Sequence, residues 1–152
     1  MRKIRRFAVI SVLALMSLPS MAASAPASAT ACWQPAFLAG DADAVAKCYA
    51  ADAVFWLPGV PTMRGRAAIR EGYAGFFADI KVKSAKLVEM GRFAHGDEVS
   101  TWGTFTVVSM SKKDGKEMTE HGRYTDVSRR IDGRWVYLVD HASDDPPATP
   151  GH

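Results

Sequence analysis

The sequence predicts an α+β domain, on three observations. Apolar residues recur at helical spacing through the first part of the chain, the period drops to two from about residue 82, and Asp114-Gly115 and Asp132-Gly133 punctuate the second part. Spacings of three and four mark one face of a helix, and alternation marks a strand buried on one side. Asp-Gly between alternating runs supplies the positive φ that a tight hairpin needs. Helices followed by an antiparallel meander form the pattern in which helices collect on one face of a sheet.

The elements follow in order. Arg2, Lys3, Arg5 and Arg6 stand before the apolar run from Phe7 to Leu18, and Ala-x-Ala sites come next at Ala23-Ser24-Ala25 and Ala27-Ser28-Ala29. That layout predicts a cleaved secretory signal peptide and leader over 1–29, and so a periplasmic or secreted protein. The run is too short for a membrane span of about 20 residues, so no stable membrane association is expected. The formal charge of +3 owes four positive charges to this segment; from residue 30 onward there are 15 Lys plus Arg against 16 Asp plus Glu, a net of −1. Without a clustered positive field, no nucleic acid partner is expected.

A single domain over 30–145 is expected, with one core. Trp33, Phe37 and Leu38 fall on one helical face, with Pro35 in the first turn and Gly40 as the stop. Asp41 is a good N-cap for a second helix over 41–50 carrying Val45, Cys48 and Tyr49. The β-branched and aromatic segment 53–57 predicts a strand, stopped by Pro58-Gly59. A third helix over about 66–79 puts Ile69, Tyr73, Phe76 and Phe77 on one side. Strands are expected at about 82–93, 98–111, 117–131 and 134–143, and a mobile tail at 146–152 after Asp144-Asp145.

Several strings resemble one known family: Trp33-Gln34-Pro35-Ala36-Phe37-Leu38-Ala39-Gly40-Asp41, Tyr49-Ala50-Ala51-Asp52-Ala53-Val54-Phe55, Arg64-Gly65-Arg66-Ala67-Ala68-Ile69-Arg70, and Arg130-Ile131-Asp132-Gly133-Arg134-Trp135 followed by Asp140-His141-Ala142-Ser143. Together they resemble the nuclear-transport-factor-two-like superfamily, near its SnoaL-like and ketosteroid-isomerase-like branches. The resemblance implies a cone-shaped fold: three N-terminal helices packed in a strongly curved, mostly antiparallel sheet, a cystatin-like α+β roll. It also implies an apolar pocket for a small hydrophobic molecule and a homodimer through the outer sheet face. In the isomerase branch a carboxylate before a proline on the first strand is the base, and the matching residue is Leu57, which cannot act as one. A tyrosine seven residues before the glycine that ends the first helix is matched by Trp33. The branch's second acid is matched by Asp126. Ketosteroid isomerisation by that constellation is therefore not expected, and the fold by itself does not choose a chemistry.

The residues themselves offer several candidates. His141, on the last strand with Trp135, Tyr137 and Val139, could transfer a proton near neutral pH beside Asp140, or could end the strand through structural hydrogen bonds. Asp126 is the second catalytic candidate. His121 and Arg123 share one strand face; if it lines the cone they bind a polar ligand group, and otherwise Arg123 is a surface or dimer-face residue. Trp33, Tyr49, Trp56 and Trp102, with Phe55 and Tyr73, are candidates for an aromatic ligand-binding wall, or for plain core packing. His95, His121 and His141 lie twenty or more residues apart and no Cys-x-x-Cys occurs, so no metal is expected. No nucleotide-binding glycine motif or serine elbow occurs, so no cofactor is expected either.

Cys32 and Cys48 each stand eight residues from Gly40, at matching heights in a helical hairpin. They form either a disulfide, as an oxidising compartment permits, or two buried thiols. The function that follows is an exported small-molecule-binding domain. It acts either as a cofactor-free general acid/base enzyme, an isomerase, cyclase or lyase on a hydrophobic carbonyl compound, or as a non-catalytic ligand-binding or dimerisation module.

Overall fold

A computed structural model describes residues 28–145. Of the expected leader, only Ser28 and Ala29 fall inside that range, and the expected tail lies outside it. Ala29 is fully buried, and its amide donates to Ser128 Oγ at 3.3 Å, so the packed region already includes it.

The described chain forms α1 (Thr30–Ala39), α2 (Ala42–Ala46), β1 (Tyr49–Trp56), β2 (Met63–Arg64), α3 (Gly65–Asp79), β3 (Ile80–His95), β4 (Glu98–Ser111), β5 (Glu117–Ile131) and β6 (Arg134–Asp144). The strands make one six-stranded sheet of order β2-β1-β6-β5-β4-β3, antiparallel except for the β1–β6 pair. The helices pack on one face of it, as the helical and alternating halves of the sequence predict.

Three local details depart from the sequence reading. Pro35 lies in the second turn of α1, not the first; it sits on the exposed side, where water can satisfy the Ala31 carbonyl that loses its helical partner. Leu38 is 42% exposed, and the inward face of α1 is made by Trp33, Ala36 and Phe37. The second helix is only five residues long. Asp41 caps it by accepting from the Ala44 amide at 2.9 Å, but Tyr137 N donates to Cys48 O at 2.8 Å and draws the chain into β1 four residues earlier than expected. At the end of α1, Gly40 takes a φ of 68° and the Asp41 amide returns to the Ala36 carbonyl at 3.1 Å, the hydrogen-bonded reversal that only a residue without Cβ adopts readily.

Sheet curvature comes from irregularities in register. Bulges interrupt β1 between Tyr49 and Val54, and β3 between Val82 and Ser84 and again between Glu89 and Gly91. On β6, Leu138 is an extra residue: Val127 pairs with Val139, and Ser128 pairs with Tyr137. Each extra residue bends its strand and increases its twist. The core beneath the curved sheet is mostly aromatic. Phe37 stacks on Trp33 at 4.5 Å and touches Tyr73, Phe76 and Phe77, and Phe55 stacks on Tyr73 at 5.5 Å.

Cys32 and Cys48 are joined by a disulfide with their Cα atoms 5.7 Å apart, tying α1 to the residue before β1. Closing a loop with a sequence separation of 16 is worth about 3 kcal/mol in the chain-entropy model. Alkylation without reductant should therefore add no mass to the oxidised protein, and a Cys32→Ser/Cys48→Ser variant should lose about 3 kcal/mol in urea unfolding. Two alkylated thiols in the untreated protein would exclude the bridge.

Candidate active site

Between the helices and the concave side of the sheet lies a cavity of about 280 Å³. Its walls include Trp33 from α1, Tyr73 and Phe76 from α3, Phe55 from β1, Phe105 from β4 and Tyr124 from β5. Gly122, opposite Phe105, makes room for that ring, because a Cβ at position 122 would strike it and the Ser143 carbonyl. Local sequence accounts for the wall: alternation on β1, β4 and β5 sends Phe55, Phe105 and Tyr124 inward, and helical spacing on α3 does the same for Tyr73 and Phe76.

The cavity is apolar except at one end. There Asp126 on β5 and Asp140 on β6 stand directly opposite each other, 2% and 9% exposed. The Tyr49 hydroxyl donates to Asp140 Oδ2, the Tyr73 hydroxyl lies 3.1 Å from the Tyr49 hydroxyl, and Trp33 Nε1 donates to the Tyr73 hydroxyl at 2.9 Å. Asp126 is served differently, since its Oδ1 has no hydrogen-bond partner.

Electrostatics follow from this arrangement. Burial raises the proton affinity of Asp126, the negative charge of Asp140 raises it further, and the group is pushed up to about 9. Burial also raises Asp140, but hydrogen bonds from Tyr49 and Asp126 pull it back, to about 6. Two carboxyl groups this close in a dry site cannot both ionise, so the pair holds one proton at neutral pH. Burial keeps Tyr49, Tyr73 and Tyr137 protonated well beyond the ordinary phenol range, and Tyr124 is pushed up to about 12. Chemically, the site offers a neutral carboxylic acid at the end of an apolar pocket, beside an anionic one. Among the described residues no cluster of His, Cys, Asp and Glu is suited to hold a metal ion.

Of the residues selected from sequence, Trp33, Phe55, Tyr73 and Asp126 line the cavity. Tyr49 is fully buried behind it, and acts on Asp140 rather than forming the wall. The other five lie on the outer face of the sheet. Trp56 follows the inward Phe55 on β1, and Trp102 precedes the inward Gly103 on β4, so both point outward and are 42% and 43% exposed. On β5 the buried set is Gly122, Tyr124, Asp126 and Ser128, which leaves His121 and Arg123 outside. There His121 Nδ1 meets Thr106 Oγ1 at 3.1 Å and Arg123 pairs with Asp145 at 2.8 Å. His141 is also outside, edge-on to Trp56 at 6.0 Å.

The misplacement of His141 has one cause. Parity counted along β6 from Tyr137 sends His141 inward, but the extra residue Leu138 reverses parity beyond it, so Tyr137 and Asp140 both face in. Asp140, in sequence only the neighbour of the candidate His141, is thereby the residue facing Asp126. The available signal was the Trp135-Val136-Tyr137-Leu138-Val139 run, an unbroken apolar stretch in which alternation is unreadable.

Comparison with known proteins agrees with this architecture. Residues 30–138 match the SnoaL-like domain family, and no curated protein matches the sequence. A ketosteroid isomerase-like protein from Erwinia carotovora atroseptica superposes with a TM-score of 0.69 at 20% identity, over 78% of this chain and 92% of that one. A nuclear transport factor 2-like superfamily protein from Salmonella enterica superposes with a TM-score of 0.67 at 15% identity, over 81% and 90%. A candidate aromatic ring hydroxylase from Novosphingobium aromaticivorans gives 0.66 at 26% identity, over 78% and 85%. The superpositions show the nuclear-transport-factor-two-like fold, and with the family match running from the first turn of α1 into β6, the protein belongs to the SnoaL-like domain family.

Proposed function

We propose that the protein binds a small hydrophobic carbonyl compound in the aromatic cavity and acts on it by cofactor-free acid/base chemistry, as an isomerase, cyclase or lyase, with Asp126 as the general acid. The observation that carries this reading is the buried, unequal carboxyl pair at the polar end of an otherwise apolar pocket. A neutral carboxylic acid there can donate to a carbonyl oxygen and stabilise the charge that develops as a neighbouring C–H or C–O bond breaks. Asp140, the adjacent carboxylate on the cavity wall, takes the proton released from the substrate, so the pair keeps one proton while Asp126 gives its own to the oxygen, and the reverse transfers close the cycle. Leu57 at the position of the usual base supports a second reading, a binding module that holds such a compound without turnover.

We also infer that the outer sheet face pairs with a second copy of the chain. Trp56, His141, Thr125 and Trp102 stand side by side across β1, β6, β5 and β4, and Val88 and Phe93 lie on neighbouring β3, 46% and 67% exposed. Large exposed apolar side chains gathered on one sheet face among polar ones mark an interaction surface. Sedimentation equilibrium should give a dimer that Trp102→Lys dissociates, and a wild-type monomer at high micromolar concentration would refute the pairing.

A ketone with an exchangeable α-hydrogen, such as 2-acetylnaphthalene, separates the two functional readings. Wild-type protein should quench on binding and catalyse exchange of the methyl hydrogens with deuterated water, and Asp126→Asn should slow that exchange by about 100-fold or more. Tight binding without exchange in the wild type would leave the binding module.

The carboxyl pair also sets a pH dependence of stability. Both folded-state values are raised above the unfolded value of about 3.9, so the folded protein keeps protons that the unfolded chain releases. Stability from the pair is complete below about pH 4 and falls as pH rises, until Asp140 ionises at about 6 and Asp126 at about 9. Asp126→Asn should melt close to wild type in acid and above it in mild alkali. Parallel pH profiles for the two proteins would show that Asp126 is not protonated in the fold.

A further inference from the structure

Trp33, Tyr73, Tyr49 and Asp140 form one unbroken hydrogen-bond chain running from α1 through α3 and β1 to β6. Two phenols in contact ordinarily exchange donor and acceptor roles, so a chain built only of hydroxyls has no inherent direction. Here the ends give it one. An indole N–H can only donate, so the Tyr73 oxygen accepts from Trp33, and at the other end Tyr49 donates to Asp140 Oδ2, an arrangement open only while that oxygen carries no proton. The arrangement that satisfies every group is then Trp33 to Tyr73, Tyr73 to Tyr49, and Tyr49 to Asp140. Because burial keeps both phenols protonated, the donors do not ionise at any pH the fold experiences.

The consequence falls on the carboxyl pair. One proton can sit in two places. With the charge on Asp126, an ionised carboxylate is buried with its Oδ1 unpartnered, which is expensive. With the charge on Asp140, the anion receives a charge-assisted hydrogen bond from Tyr49, and the unpartnered oxygen belongs to a neutral acid. We propose that the Trp33–Tyr73–Tyr49 chain is a one-way hydrogen-bond relay that holds the negative charge on Asp140 and the proton on Asp126. Trp33, Tyr73 and Tyr49 are thereby positioning residues that decide which of the two acids is the donor.

The other ionisable groups on this side and across the sheet include Glu120 and Tyr124 on β5, Tyr137 and His141 on β6, and the Glu89–Arg92 ion pair on β3, where Arg92 shares a cross-strand row with Thr101 and Asp126. Glu120 is an exposed residue of the cavity wall, the Tyr137 hydroxyl meets Thr30 Oγ1 at 2.9 Å, and His141 lies on the opposite face of the sheet. His141 favours a charged Asp140 through the sheet, which acts in the same direction as the relay. The groups on β5 and β6 make no hydrogen bond to Asp140, whose phenol donor is Tyr49, the end of the relay.

The catalytic meaning of this inference rests on Asp126 as general acid, but the position of the proton is a property of the ligand-free protein and is read without turnover. Infrared difference spectra with isotope-labelled aspartate detect a protonated side chain through its C=O stretch. Wild-type protein should show a protonated aspartate at neutral pH that is absent in Asp126→Asn. Tyr49→Phe should keep the pair protonated to a pH higher by about one unit, a tenfold gain in proton affinity, and Tyr49→Phe/Asp126→Asn should regain a protonated band on Asp140. Trp33→Phe should shift the titration in the same direction by less, and it serves as the readout if Tyr49→Phe does not fold.

A band that survives in Asp126→Asn at neutral pH, or a titration unmoved by both Tyr49→Phe and Trp33→Phe, overturns the relay. Those spectra with catalytic exchange intact would remove the relay and keep the enzyme. The expected spectra with no exchange would keep the relay and remove the enzyme.

Discussion

Two carboxyl groups face each other in the dry interior of this domain, and the site is organised around that repulsion. Asp126 and Asp140 are direct cross-strand partners on β5 and β6, where opposing like charges are destabilising even at a surface. With both residues almost wholly buried, the pair tolerates one charge but not two. The surroundings resolve this unequally. Asp140 receives the end of a hydrogen-bond chain that crosses three other elements, whereas Asp126 is left with an unpartnered oxygen against an aromatic cavity. An apolar pocket alone binds many things weakly; an apolar pocket ending in a neutral acid has an orientation and a chemistry.

The frame that holds the pair is built by aromatic packing and interrupted strands. Phe37 on α1 joins Trp33 to the α3 rings, and Tyr73 passes the contact on to Phe55 and Tyr49 of β1. The Cys32–Cys48 bridge flanks that contact, since Cys32 precedes Trp33 and Cys48 precedes Tyr49. One covalent link thus stands next to both the first and the last donor of the chain. Arg66 adds to it from α3 by donating two hydrogen bonds, at 3.0 and 2.8 Å, to the Tyr49 carbonyl. The backbone that carries the Tyr49 hydroxyl is therefore held from both sides.

Much of the fold was legible. The boundaries of β4 and β5 match the alternating runs because Asp97, Asp114-Gly115 and Asp132-Gly133 punctuate them, and α3 is read from Ile69, Tyr73 and Phe77. The early start of β1 was not legible, because the bond from Tyr137 to the Cys48 carbonyl joins residues far apart in sequence. The site was read less well than the fold. Residue type points correctly to Trp33, Phe55, Tyr73, Tyr49 and Asp126, but Trp56, Trp102, His121, Arg123 and His141 are all on the other side of the sheet. Residue type identified groups capable of chemistry, and only strand facing decides which of them share a space.

Local sequence sets the α+β class, the order of the helices and of every strand except the two-residue β2, the hairpin turns, and the pairing in height of Cys32 with Cys48. These rest on local spacing, turn chemistry and short loops, which act over a few residues. That Asp140 and not His141 faces the cavity, and that Trp33, Tyr73 and Tyr49 form a chain ending on Asp140, emerges only when the elements pack. For Asp140 the cause is the single extra residue at Leu138: a sheet has a side-chain period of two, so one bulge in an apolar run exchanges its two faces.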